Sequence, residues 1–76
     1  MPGKIKPLSK FMEELLMDCH EREILKQDPC EVATTRHTKG LIDRELANVQ
    51  YYTNANGKKY LALFVTNIGR EYLKAL

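Results

Sequence analysis

At 76 residues the chain has room for one domain with a small core, and its 43% hydrophobic and 29% charged content fits a folded chain better than a disordered one. No apolar run approaches the roughly 18 residues of a membrane span, and two cysteines are too few for a disulfide framework. The net charge of +2 hides a polarity: residues 11–31 hold seven acids against Arg22 and Lys26, whereas residues 32–76 hold seven bases against Asp43, Glu45 and Glu71.

Residues 1–6, with Pro2, Gly3 and two lysines, offer little to bury and read as a flexible N-terminus. The basic opening MPGKIKPLSK lacks the apolar centre of a signal peptide, which predicts a cytoplasmic protein. Residues 7–76 form the single domain. From Leu8 the apolar positions Phe11, Met12, Leu15, Leu16 and Cys19 recur at steps of three and four, the stripe of an amphipathic helix. Pro7 or Ser9 can start it. The stripe fails at Arg22, Glu23 and Lys26, which predicts a break near Cys19–Glu21 and a short second helix to about Lys26; one continuous helix is the alternative. Asp28-Pro29 stops it, because a residue before proline leaves the α region.

The third element is ATTRHTKGLIDREL. On a helical wheel Thr34, Thr38, Leu41 and Ile42 face inward, and Arg36, Gly40, Asp43 and Arg44 face outward, flanked by His37 and Lys39. Glycine inside a helix costs about 1 kcal/mol relative to alanine, so an outward Gly40 suggests a surface that a partner approaches closely. The competing reading makes Gly40 a helix stop, with a strand starting at Leu41-Ile42.

Between Asn48 and Thr66 lies NVQYYTNANGKKYLALFVT, two β-rich runs around Asn56-Gly57. That pair predicts a two-residue type I′ hairpin with Thr53 opposite Tyr60 and Tyr51 opposite Ala62. Leu61, Leu63 and Val65 then share the face that packs on the helices. Thr66 caps a last helix whose inward residues are Ile68, Tyr72, Leu73 and Leu76.

Three stretches together carry a family likeness: Leu41-Ile42-Asp43-Arg44-Glu45-Leu46, the Asn56-Gly57 tip, and Phe64-Val65-Thr66-Asn67-Ile68-Gly69-Arg70-Glu71-Tyr72-Leu73. They resemble the winged helix-turn-helix DNA-binding proteins, in particular the small MarR- and PadR-like regulators. The resemblance spans about residues 34–76 and covers 8–33 by element order alone. Glu45 stands where the family often has glycine and Val65 where it often has leucine, and the segment before Thr34 is short for a standard second helix and turn. The likeness implies an α+β winged helix-turn-helix fold: three N-terminal helices, a two-stranded β-hairpin wing and a C-terminal helix. It also implies a dimeric transcriptional regulator that binds double-stranded DNA.

The residues point the same way. Thr35, Arg36, His37, Lys39 and Arg44 supply the cationic and hydrogen-bonding side chains of a recognition helix, with Gly40 permitting close approach. Asn56, Gly57, Lys58 and Lys59 form a basic tip suited to phosphates. The acidic segment is expected to face away from the DNA. Dimerisation is expected through Leu73, Leu76 and the first-helix stripe.

No catalytic constellation is visible: there are no paired carboxylates, no phosphate-binding glycine loop, and no nucleophile with a base partner, so no enzyme, cofactor or small-molecule substrate is expected. Cys19, Cys30, His20 and His37 lack zinc-ligand spacing, which leaves no metal site. The rival function is a protein-interaction module on the same fold, using the acidic first helix, because a fold does not fix a function.

Overall fold

The computed structural model describes residues 7–32 and 36–75. The chain is α+β, with helices α1 (Lys10–Ile24), α2 (Arg36–Asp43) and α3 (Asn67–Lys74) and an antiparallel hairpin of β1 (Ala47–Thr53) and β2 (Lys59–Val65).

Ser9 caps α1, its hydroxyl accepting from Met12 N–H at 3.2 Å. The helix then runs unbroken through the predicted break, so two helices rather than three precede the hairpin among the described residues. Arg22 and Glu23, which interrupt the apolar stripe, do not disrupt the helix, because both find charged partners. Arg22 reaches back to Asp18 at 3.3 Å. Glu23 meets Arg70 of α3 in a two-point pair, with Nε donating at 2.9 Å. That hydrogen bond, more than the charge of Arg70, holds the Glu23 carboxyl below its usual range against the opposing effect of burial. The helix closes with Lys26 at φ 57° and Gln27 N–H on Arg22 C=O at 2.9 Å, a Schellman ending.

The same ending closes α2. Leu46 N–H donates to Leu41 C=O at 3.0 Å and Glu45 N–H to Ile42 C=O at 2.9 Å, with Glu45 at φ 61°. This geometry explains a departure seen in the sequence: glycine is favoured at the position of Glu45 because the turn is left-handed there. Glu45→Gly is expected to stabilise the fold by about 1 kcal/mol, the penalty a side chain bears in that conformation. Chemical denaturation reads this as a raised midpoint, and a lowered midpoint would contradict it.

The hairpin register is one residue away from the predicted one. Thr53 faces Lys59, Tyr52 faces Tyr60 and Tyr51 faces Leu61. The cause is Asn54, whose Oδ1 accepts from Asn56 N–H at 2.9 Å and Lys58 N–H at 3.0 Å. Gly57 N–H closes the turn on Asn54 C=O at 2.9 Å. Gly57 is left-handed at φ 84° while Asn56 is not, which makes a type I turn followed by a bulged glycine rather than a type I′ turn.

One antiparallel bridge outside the two strands lies beyond what the sequence pattern indicates. Val32 N–H donates to Leu61 C=O at 2.8 Å and Leu63 N–H to Cys30 C=O at 3.1 Å, bridging Glu31 to Ala62. β2 is therefore flanked on both sides. The tyrosines of the hairpin tie the same segment down: Tyr52 donates to Asp28 Oδ1 at 2.9 Å and Tyr60 to Pro29 C=O at 2.7 Å.

The core lies between α1, α2 and one face of the hairpin: Met12, Leu16, Cys19, Leu41, Leu46, Ala47, Leu63 and Val65. Leu63 and Val65 pack on the helices as expected. Leu61 does not: it stays 39% exposed and its partner Tyr51 71%, so the outer half of the hairpin reaches past the helices. Burial also drives the Cys19 thiol up to about 12, with neighbouring Cys30 adding to the effect, and raises Cys30 as well. Both cysteines are thus protonated and poorly nucleophilic at neutral pH.

Candidate nucleic-acid interface

Helix α2 exists because Leu41 is completely buried and Thr38 nearly so. That anchoring leaves Arg36 and Lys39 exposed on the opposite side. Thr35 lies outside the described residues.

Three residues of the expected surface are placed differently. Gly40 is helical but faces α1 rather than outward: a Cβ there would meet the Met12 side chain and, at 3.1 Å, Arg44 Nη1. Its missing side chain lets α1 and α2 approach each other. The wheel misplaced Gly40 because Ile42, assigned to the core, is 38% exposed, and the helix is rolled toward Thr38 and Leu41. His37 is half-buried, its ring centroid 5.6 Å from that of Phe11. Arg44 folds back along its own helix, Nη1 donating to Gly40 C=O at 2.9 Å and Nη2 to Pro7 C=O at 3.4 Å.

At the hairpin end Asn56, Gly57, Lys58 and Lys59 are all exposed. Lys59 Nζ sits 5.0 Å from the centroid of Tyr51. Lys58 Nζ lies 5.7 Å from the Tyr60 centroid and 3.5 Å from Glu31 Oε1. Exposed ion pairs contribute about 0–1 kcal/mol and exposed cation–π contacts about 0.5–1 kcal/mol. Both lysines can exchange such contacts for phosphates at small cost. Glu31 and Asp28 show, however, that part of the acidic segment lies against the hairpin instead of facing away from it.

No protein-family model matches this chain, and neither the curated proteins nor the solved structures contain a match. The chemistry of the site is therefore read from its own residues.

Part of the dimer surface expected from the sequence lies in the core of the chain. Met12, Leu16 and Cys19 of the first-helix stripe are consumed by the protomer's own core. Leu76 lies outside the described residues. Phe11 of that stripe stays exposed, and a separate shallow groove is lined by Met17, His20, Glu21, Ile24 and Leu73. Among the described residues no group of three or more His, Cys, Asp or Glu is placed to hold a metal, and no helix is long and apolar enough to cross a membrane. The stub at Cys30–Val32 was missed because three residues show no periodicity, although Cys-Glu-Val alternates apolar and polar as a strand does.

Proposed function

We propose that this chain is a winged-helix regulator that binds double-stranded DNA, with α2 as the recognition helix and the hairpin as its wing. The observation that carries this reading is the exposure of Arg36 and Lys39 on a short helix that leads directly into a protruding hairpin tipped by Lys58 and Lys59. Arg36 has the fork geometry to read guanine in the major groove. Lys39 suits a phosphate beside it, and Lys58 and Lys59 the backbone reached by the wing. His37 and Arg44 act in this scheme by holding α2 against Phe11 and the segment before α1.

The test is fluorescence anisotropy with a labelled duplex over a salt series. Binding at low salt should weaken linearly in log–log form. Replacing both lysines (Lys58→Ala with Lys59→Ala) should lower the slope by about 2, roughly 1 per phosphate contact, with equal effect on every sequence. Arg36→Ala should instead relax discrimination between sequences. The absence of binding at low salt would overturn the proposal, since even non-specific association should then be measurable.

A second reading is supported by the outer side of α1, where Met17 and Ile24 are each more than half exposed among acidic neighbours. Such a surface suits a basic, partly apolar protein partner. In that case reversing Glu14 and Glu21 to lysine would abolish partner binding, and the lysine substitutions in the hairpin would have no effect.

A further inference from the structure

The hydrogen-bond phase of the hairpin identifies which backbone groups β1 leaves unused. Asn54 N–H donates to Lys58 C=O at one end of the ladder, and Thr66 N–H to Leu46 C=O at the other. Both pairs keep the register of the strand partners. Hence Asn48, Gln50 and Tyr52 exchange hydrogen bonds with β2, while Val49, Tyr51 and Thr53 turn their N–H and C=O groups to the opposite edge. The far side of β2 obeys the same alternation, since it is Leu61 and Leu63 that bond to the stub. Among the described residues nothing covers the outward groups of β1.

Exposed edges in soluble proteins are normally blunted by lysine, proline, a bulge or a covering element. β1 has none of these. Its sequence ANVQYYT contains no charge, proline or glycine, and its pairing with β2 is uninterrupted. Tyr51, pointing to the helix side of the sheet, has no helix beneath it.

We propose that two copies of this chain pair edge to edge through β1, antiparallel about a two-fold axis at Gln50. A second copy is the occupant that fits this edge, because this register is self-complementary. Val49 and Tyr51 of one copy exchange hydrogen bonds with Tyr51 and Val49 of the other, which satisfies the outward groups at the middle of the strand; Ala47 is buried and takes no part. Gln50 lies beside Gln50 of the second copy, where each side-chain amide can donate to the other. Tyr51 gains Val49 of the second copy as a cross-strand neighbour beside its own Leu61, since aromatic and β-branched pairs attract. The charges also match: the basic hairpin tip of one copy runs alongside the α2–β1 junction of the other, where Glu45 is exposed. This pairing does not depend on the DNA reading.

The experiment is amide hydrogen exchange by NMR on the whole chain at rising protein concentration, together with sedimentation velocity. The amides of Val49, Tyr51 and Thr53 should gain protection as concentration rises, while those of Asn48, Gln50 and Tyr52 are protected throughout. Gln50→Lys places like charges across the axis and should raise the dissociation constant about two- to fivefold. Gln50→Asn, which keeps the amide, should preserve association. Gln50 is exposed, and an unchanged far-UV spectrum confirms that each variant is folded. A chain that remains monomeric at every concentration overturns the proposal. So does a dimer whose protection falls elsewhere, such as around the Met17–Ile24–Leu73 groove.

Discussion

Gly69→Ala is expected to cost about 3 kcal/mol, the upper end of what an added methyl group costs in a packed site. Thr66 caps α3, its hydroxyl accepting from Gly69 N–H at 3.0 Å and donating to Glu45 C=O at 2.6 Å. These two hydrogen bonds of the cap hold the first turn of α3 against the end of α2. A Cβ on Gly69 would fall well inside the contact radius of the Leu46 carbonyl oxygen and 2.8 Å from Val65 Cγ1. The obstacle is backbone, and that carbonyl already accepts from Thr66 N–H at 3.1 Å, so it cannot move aside without breaking the junction. A chain of this length has a total stability of roughly 4–11 kcal/mol, so thermal unfolding should shift down by roughly 10–20 °C. Gly40→Ala is the internal comparison: its added methyl meets the far end of the flexible Met12 side chain, and a much smaller shift is expected. Equal shifts for the two glycines would refute this account of the junction.

Leu41→Ala is expected to be comparably severe and, on the proposed reading of α2, to abolish DNA binding with it. Loss of a fully buried leucine costs about 2–5 kcal/mol, depending on how far the cavity collapses. Here the loss falls on a helix of eight residues, too short to persist without tertiary packing. Leu41 also closes the Schellman ending, its carbonyl accepting from Leu46 N–H while Leu41 and Leu46 both sit in the core. α2 should therefore lose its position before the rest of the chain unfolds. Circular dichroism and anisotropy on the same sample measure both effects. If Leu41→Ala binds duplex DNA as tightly as the parent while Arg36→Ala does not, α2 need not be fixed to function.

Much of the architecture was readable because it rests on period and capping. The steps of three and four from Leu8 place α1, and Ser9 and Thr66 act as the caps their chemistry suggests. The hairpin is visible in its composition. Its register is not, because one side chain decides it: Asn54 Oδ1 holds two backbone N–H groups and moves the turn by a residue. The rolling of α2 was similarly hidden. Thr38 is buried as the wheel has it, but Ile42 is partly exposed and Gly40 lies against Met12, so the helix is rolled away from the expected face. Of the expected DNA-contacting residues, Arg36, Lys39, Lys58 and Lys59 keep the exposure their chemistry suggests. Arg44 has backbone acceptors within reach of its own helix and turns to them. No wheel foresees a long side chain folding back.

The three residues that bridge β2 from Cys30 to Val32 set a limit on the kind of object this chain can build. A seven-residue stretch of Ala, Asn, Val, Gln, Tyr and Thr is the composition from which cross-β fibrils grow, because each added chain leaves a fresh edge for the next. Such growth requires two open sides per molecule. Leu61 C=O and Leu63 N–H are already bonded to the stub, so among the described residues the longer open run lies on the β1 side. A second molecule that docks there consumes the longer run of both copies at once. A closed pair results in place of a filament, and the stub that looks like an incidental bridge acts as the terminator of the sheet.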